Sequence, residues 1–134
     1  MDLKLGSLLV EAKLTEGNFQ TARVDLLHRY RDLESVFDLA RLPMTQGKYR
    51  SSQLIRGTLA AHAHGASFAV FYDQRRQDLI DDCFEVFSAI LSAELRCRLS
   101  VLTWQEIAAA MPSKVQTFLA EKYGISAAST ADGW

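Results

Sequence analysis

A continuous apolar run near the start of the chain, Leu8-Leu9-Val10, leads directly into Glu11, Ala12 and Lys13. Such an unbroken run is typical of a β-strand that is covered on both faces, because a strand with one solvated face alternates apolar and polar residues. Gly6 interrupts the segment, so residues 3–13 are predicted to form either one strand or a tight hairpin. A strand of this kind needs layers of structure above and below it, which restricts the chain to a layered architecture.

The rest of the chain alternates between helical and strand patterns, which predicts an α/β fold with a central sheet between helices. Residues 1–125 are expected to form this domain, and residues 126–134, which are small and polar, a flexible tail. Thr103 with Glu106 has the spacing of a capping box at the start of a helix. The elements predicted after the first strand are a helix over about 21–40, a helix over about 48–64, a strand over 66–73, a helix over about 78–93, a strand over 96–103 and two helices starting near 103 and 113.

The overall charge argues mildly against a protein that binds nucleic acid mainly through charge. The 134 residues carry a formal net charge of −1, whereas a domain that binds nucleic acid mainly through charge is usually basic. Locally the pattern differs, since no acidic residue occurs between Asp38 and Asp73. Arg41, Lys48, Arg50 and Arg56 lie in that interval. This interval predicts a basic surface suited to a phosphate backbone, and a chance fluctuation of charge is the alternative.

Cysteine use and hydropathy predict the compartment. Cys83 and Cys97 are not spaced as metal ligands, and we expect two reduced, mostly buried thiols. No signal peptide is visible at the N-terminus, and no apolar run approaches the roughly 18 residues of a membrane span. We therefore expect a cytoplasmic protein that does not interact with a membrane.

The charged end of the first strand is the strongest candidate for chemistry. Side chains at positions i and i+2 of a strand share a face, so Glu11 and Lys13 are predicted to project together. If Gly6 bends the chain back, Asp2 approaches Glu11, and two carboxylates then supply the oxygen ligands that Mg²⁺ prefers. A nearby lysine orients an attacking water or neutralises a phosphate. The alternative is a surface ion pair at a strand end, worth under about 1 kcal/mol.

An Asp, about ten residues, and an apolar strand ending in Glu-x-Lys is the pattern of the PD-(D/E)XK nuclease superfamily, and MDLKLGSLLVEAKLTEG resembles it. YRSSQLIRGTLAAHAHGASFAVFYD, LSVLTWQEIAAAMP and FLAEKYGI resemble the later segments of bacterial members. The resemblance implies a restriction-endonuclease-like fold, here without the N-terminal helix and strand of the usual core. It also implies that Asp2 and Glu11 bind Mg²⁺ (or Mn²⁺) and that Lys13 is the catalytic lysine.

Further roles follow from the same resemblance. Gln53 matches a glutamine that some branches carry on the helix after the motif, and Arg56 on that helix is a candidate for contact with a phosphate. The alternative for these two residues is a solvated helix face. Lys48 and Arg50 are the other candidates for nucleic-acid contact. The implied activity is a Mg²⁺-dependent endonuclease that hydrolyses DNA, with RNA as an alternative substrate. The rival expectation is a catalytically inactive interaction module, and a homodimer or other oligomer that shares sheet edges is expected because the chain lacks the first elements of the core.

Overall fold

The structure is a computed structural model, and it describes residues 3–15 and 17–128. Within these residues the chain forms a central sheet, a second smaller sheet and helices on both faces of the central sheet. In chain order the elements are β1 (Leu3–Leu5), β2 (Leu8–Ala12), β3 (Thr21–Arg23), α1 (Val24–Leu27), α2 (Leu33–Val36), a 3-10 helix (Leu39–Arg41), β4 (Met44–Thr45), β5 (Lys48–Arg50), α3 (Ser52–His64), β6 (Ser67–Tyr72), α4 (Gln77–Ser88), α5 (Ala93–Arg96), β7 (Leu99–Thr103), α6 (Trp104–Ala109) and α7 (Ser113–Tyr123).

The central sheet is mixed and has the strand order β1-β2-β6-β7. β1 and β2 form an antiparallel hairpin, and Gly6 turns the chain between them with a φ of 60°, a conformation that glycine adopts without strain. β2 pairs in parallel with β6, and β6 in parallel with β7. The predicted hairpin and the predicted strand over 66–73 are therefore confirmed.

Helices cover both faces of this sheet. α3 approaches one face so closely that a Cβ atom on Gly57 would clash with the Phe68 ring, so a larger residue there would have to displace that ring. On the opposite face the Trp104 ring of α6 packs edge-on against Phe71, with 5.6 Å between centroids. The predicted α/β fold, a mixed sheet flanked by helices, is confirmed and is consistent with the restriction-endonuclease-like arrangement.

The long helix predicted over 21–40 is wrong. Residues 21–23 form β3, which pairs with β5, and the remaining residues form α1, α2 and the 3-10 helix. The helical spacing of the apolar residues reflects which side chains are buried and not one continuous helix. Leu27 is buried in α1, whereas Leu33 and Val36 are buried in α2. Pairing with a distant strand has overridden the local helical pattern.

Other boundaries also differ from the prediction. Residues 48–50 form β5, and α3 begins only at Ser52, because Gln46 and Gly47 both adopt positive φ and turn the chain into a β4–β5 hairpin. The helix predicted over 78–93 ends at Ser88, and residues 93–96 form α5. The strand predicted from residue 96 begins only at Leu99. Cys97 is exposed, contrary to expectation, whereas Cys83 is buried. Among the described residues, no helix combines the length and apolarity needed to cross a membrane.

Candidate active site

Glu11 and Lys13 lie at the carboxyl end of β2, and their side chains meet as predicted. Lys13 Nζ lies 3.8 Å from Glu11 Oε1. The Lys13 amide donates a hydrogen bond of 2.8 Å to the Phe71 carbonyl, which extends the β2–β6 pairing one residue beyond β2. Only 1% of the Glu11 side chain and 5% of the Lys13 side chain are exposed. The alternative of a surface ion pair is therefore wrong, because both charges are buried.

Burial makes this pair costly for the fold. Removing a carboxylate and an ammonium from water carries a desolvation penalty of several kcal/mol per ion, which their mutual attraction often fails to offset. Glu11 also lies beside Val70 in the sheet register, a position where apolar packing would stabilise the core. Stability alone is therefore a poor explanation for the presence of these two charges.

The segment Phe19–Gln20 connects the pair to the start of α3. Lys13 Nζ lies 5.6 Å from the centroid of the buried Phe19 ring, within the range of a cation–π contact. The Phe19 and Gln20 carbonyls each accept a hydrogen bond of 3.0 Å, from the amides of Gln53 and Ser52 respectively. The first amides of α3 are thus bound to protein carbonyls and are not available to an anion.

A cleft of about 500 Å³ runs along α3, and we call it the α3 cleft. It brings together Gln53 and Arg56, the two helix residues that the resemblance implicates. Neither Glu11 nor Lys13 is among the described residues that line it. The polar and aromatic side chains of its lining are Gln20, Tyr30, Arg31, Asp32, Gln53, Arg56 and His64.

Lys48 and Arg50 are placed elsewhere. Both lie on β5 rather than on a helix, and neither is among the described residues that line the α3 cleft. Arg50 forms an ion pair with Glu85 of α4, with 3.0 Å between Nη2 and Oε2. The basic interval of the sequence is therefore divided between two surfaces.

A second polar cluster, which was not predicted from the sequence, lies at the end of β6. Asp73 is buried and accepts hydrogen bonds of 3.0 Å from the Arg75 amide and 2.9 Å from Gln105 Nε2. The Arg75 guanidinium also binds this carboxylate, and it is the main reason that the pKa of Asp73 falls to about 2. The Arg75 guanidinium donates a further bond to the Tyr123 carbonyl. The position of Asp73 directly after a buried strand was the signal in the sequence, but its partner Gln105 is 32 residues away.

The described residues include one of the two predicted metal ligands. Glu11 provides one carboxylate, and Asp2, its expected partner, lies outside the described residues. Within residues 3–15 and 17–128 there is no group of three or more His, Cys, Asp or Glu side chains that could hold a metal ion. The donor chemistry still fits Mg²⁺, which is held through one or two carboxylates together with water and substrate phosphates.

Comparison with known proteins places the chain in a family. No curated protein and no solved structure matches the chain significantly. A family described as "Restriction Endonuclease associating with ARP" matches residues 1–124. That match covers the hairpin, the Glu11–Lys13 pair, the α3 cleft and α7. The chain therefore belongs to this family.

Proposed function

We propose that the protein is a metal-dependent nuclease that hydrolyses phosphodiester bonds of DNA at the Glu11–Lys13 pair. The observation that carries the proposal is the burial of a carboxylate and an ammonium on one face of a central strand. Burying this pair costs stability, so stability does not explain why the two charges are present. A catalytic role would explain them, and the chain belongs to a restriction endonuclease family.

Each residue of the pair has a distinct role in the proposal. Glu11, together with Asp2, would hold Mg²⁺ or Mn²⁺, and the ion would stabilise the charge that develops on the phosphoryl group. Lys13 donates hydrogen bonds, so its ammonium can orient the attacking water or neutralise a phosphate oxygen. The water oxygen forms a bond to phosphorus and releases a proton, one phosphorus–oxygen ester bond breaks, and the leaving oxygen takes up a proton, so that the water supplies both the new hydroxyl group and that proton.

Binding of the substrate is assigned mainly to α3. Arg56 supplies a guanidinium for a phosphate, and Gln53 lies next to it in the same cleft. Lys48 and Arg50 can contribute only from the surface around β5. Because the Glu11 and Lys13 side chains are almost fully shielded, a phosphodiester reaches them only after neighbouring residues rearrange.

The test is cleavage of supercoiled plasmid by purified protein in the presence of Mg²⁺ or Mn²⁺, with EDTA as the metal-free control. We expect nicking by the wild type, and at least a ~100-fold slower reaction for Lys13→Ala and for the near-isosteric Glu11→Gln. Lys114→Ala removes an exposed lysine from α7 and should cleave like the wild type. Circular dichroism shows whether each variant is folded. No cleavage by the wild type with either metal, or full activity of folded Lys13→Ala, would overturn the proposal.

A second candidate function is that of a non-catalytic module that pairs with another copy of this chain. β1 is an edge of the central sheet, and Leu3 and Leu5 are 46% and 53% exposed on it. An exposed apolar edge strand is a template for pairing with another strand. The family's description also names an association, with ARP. Light scattering tests this candidate: it requires a dimer that Leu5→Lys converts to a monomer, in a protein that does not cleave DNA or RNA.

A further inference from the structure

We propose that the α3 cleft binds one unstacked nucleotide, so that the protein prefers single-stranded nucleic acid to a duplex. The inference names the form of the substrate and rests on the proposed function for its biological meaning. Its physical basis, however, is the cleft alone. It predicts a binding preference that is measurable without any cleavage.

The size of the cleft suits a single nucleotide. Its volume of about 500 Å³ lies within the roughly 300–1,000 Å³ of pockets that enclose small molecules. A nucleotide that remains stacked and paired in a duplex cannot enter a pocket of this size. A nucleotide at an end or within a single strand can.

Two residues that line the cleft each carry a shielded polar atom. Gln53 Oε1 and Arg56 Nε are buried, and neither has a hydrogen-bond partner in the part of the chain that the structure describes. Buried polar atoms without partners are uncommon and costly in folded proteins. One atom accepts a hydrogen bond and the other donates one, so a nucleobase edge offers both complements when these two side chains turn towards the cleft.

The rim of the cleft supplies stacking and positive charge. Tyr30 is 43% exposed, and aromatic rings at such positions stack on bases without regard to sequence. Two guanidinium groups, of Arg31 and Arg56, line the cleft against one carboxylate, of Asp32. Arg31 Nε lies 3.5 Å from Asp32 Oδ1, and 94% of the Arg31 side chain is exposed. The Arg31 guanidinium can therefore also contact a phosphate. An aromatic ring, amide groups and excess positive charge together match a base carrying a phosphate.

One segment of the chain connects the cleft with the proposed catalytic pair. Gln20 lines the cleft, and the preceding residue, Phe19, carries the ring that lies beside Lys13 Nζ. Both residues are fixed to the start of α3 by their carbonyls. A nucleotide held in the cleft therefore lies next to the segment that contacts the catalytic lysine, so the cleft can act as a subsite for the same strand.

Fluorescence anisotropy with labelled 12-mers tests the proposal, in EDTA so that no cleavage takes place. We expect single-stranded DNA or RNA to bind at least ~10-fold more tightly than the DNA duplex of the same sequence. Tyr30→Ala should weaken single-strand binding by ~10-fold or more, whereas Tyr30→Phe should stay within ~3-fold of the wild type. Arg56→Ala should weaken binding more than Arg41→Ala, which removes an exposed arginine outside the cleft. Equal or tighter binding of the duplex, or unchanged binding by folded Tyr30→Ala, would overturn the proposal.

The two proposals fail separately. If plasmid nicking depends on Lys13 while Tyr30→Ala binds single strands normally, the cleft proposal is wrong and the nuclease proposal stands. If the wild type never cleaves but binds single strands through Tyr30, the nuclease proposal is wrong and the cleft proposal stands.

Discussion

β2 and β6 are neighbouring parallel strands, and a buried carboxylate lies at the carboxyl end of each. Asp73, after β6, is held by Arg75 and Gln105 and lies on the side of α6. Glu11, in β2, lies on the side of α3, with the Lys13 ammonium 3.8 Å away, beyond hydrogen-bond distance. The first carboxylate joins three parts of the chain, since Arg75 also binds the Tyr123 carbonyl of α7. The second is paired with a residue only two positions away in its own strand.

The different partners of the two carboxylates indicate that Asp73 has a structural role and that Glu11 is the candidate for catalysis. Asp73 receives several hydrogen bonds that favour its charged form, which is why its pKa lies at about 2. The Glu11–Lys13 ion pair joins two residues of one segment and carries the desolvation penalty of burying both charges. We therefore expect the Asp73 cluster to stabilise the fold and the Glu11–Lys13 pair to cost stability.

The largest effect is expected from breaking the buried pair on one side. Glu11→Met leaves the Lys13 ammonium buried without its carboxylate and should lower the free energy of unfolding by about 3–5 kcal/mol. The double variant Glu11→Met/Lys13→Met has two side chains of similar volume and no charge, so it should return to within about 1 kcal/mol of the wild type or exceed it. Urea unfolding measures both. A double variant as unstable as the single one would mean that the pair is structural, like Asp73.

Removal of Asp73 is expected to have the next largest effect. Asp73→Ala takes the acceptor from Gln105 Nε2 and from the Arg75 amide, and should lower the free energy of unfolding by about 2–3 kcal/mol. The matched control is Asp25→Ala, which removes an aspartate whose ion pair with Arg23 is more than half exposed, and should cost under about 1 kcal/mol. In contrast to the buried pair, Asp73→Ala/Gln105→Ala should not recover stability. Recovery in that double variant would remove the distinction between the two regions.

The pH dependence of stability sharpens the comparison further. The pKa of Asp73 is lowered in the folded state to about 2, so its contribution is complete above the ordinary value of 3.8 and is lost as the pH falls towards 2. Between pH 5 and pH 2 the wild type should lose about 1–2 kcal/mol more than Asp73→Asn, after allowing for solvent screening of the exposed Arg75. Thermal melts across this range measure the difference. Parallel curves for the two proteins would contradict the role of Asp73.

Local patterns predicted the features that depend on neighbours in the chain. The shared face of Glu11 and Lys13 follows from the period of a strand, and the capping box of Thr103 and Glu106 from three-residue spacing. Gln53 and Arg56 meet in one cleft because they are three residues apart on one helix. These features need no knowledge of the rest of the fold.

Features that depend on distant partners could not be predicted in this way. Residues 21–23 carry a helical pattern, yet they form a strand because β5 lies beside them. Asp73 looked like the end of a strand, since nothing near it in the sequence indicates Gln105. Likewise, Tyr30 lines the α3 cleft from the break between α1 and α2, and the predicted long helix gave no sign of that break. Asp2 lies outside the described residues, so its assignment as a metal ligand stays a prediction.

The smallest effect is expected at the contact between the two regions. Trp104 of α6 packs on Phe71 and donates a hydrogen bond of 2.8 Å from Nε1 to the Lys13 carbonyl. Trp104→Phe keeps a ring but loses this bond, and should lower the free energy of unfolding by about 1 kcal/mol. Thr103→Ala is the matched control, because loss of the helix cap costs a similar ~1 kcal/mol without removing a partner of Lys13.

Plasmid cleavage then separates the two variants. If the indole positions Lys13, Trp104→Phe should cleave more slowly than Thr103→Ala at equal stability, and addition of metal should not restore the rate. Equal cleavage rates would mean that the α6 side of the sheet contributes only stability. In that case the pairing of β2 with β6, through the Lys13 amide and the Phe71 carbonyl, is sufficient to hold Lys13 in place for its proposed role.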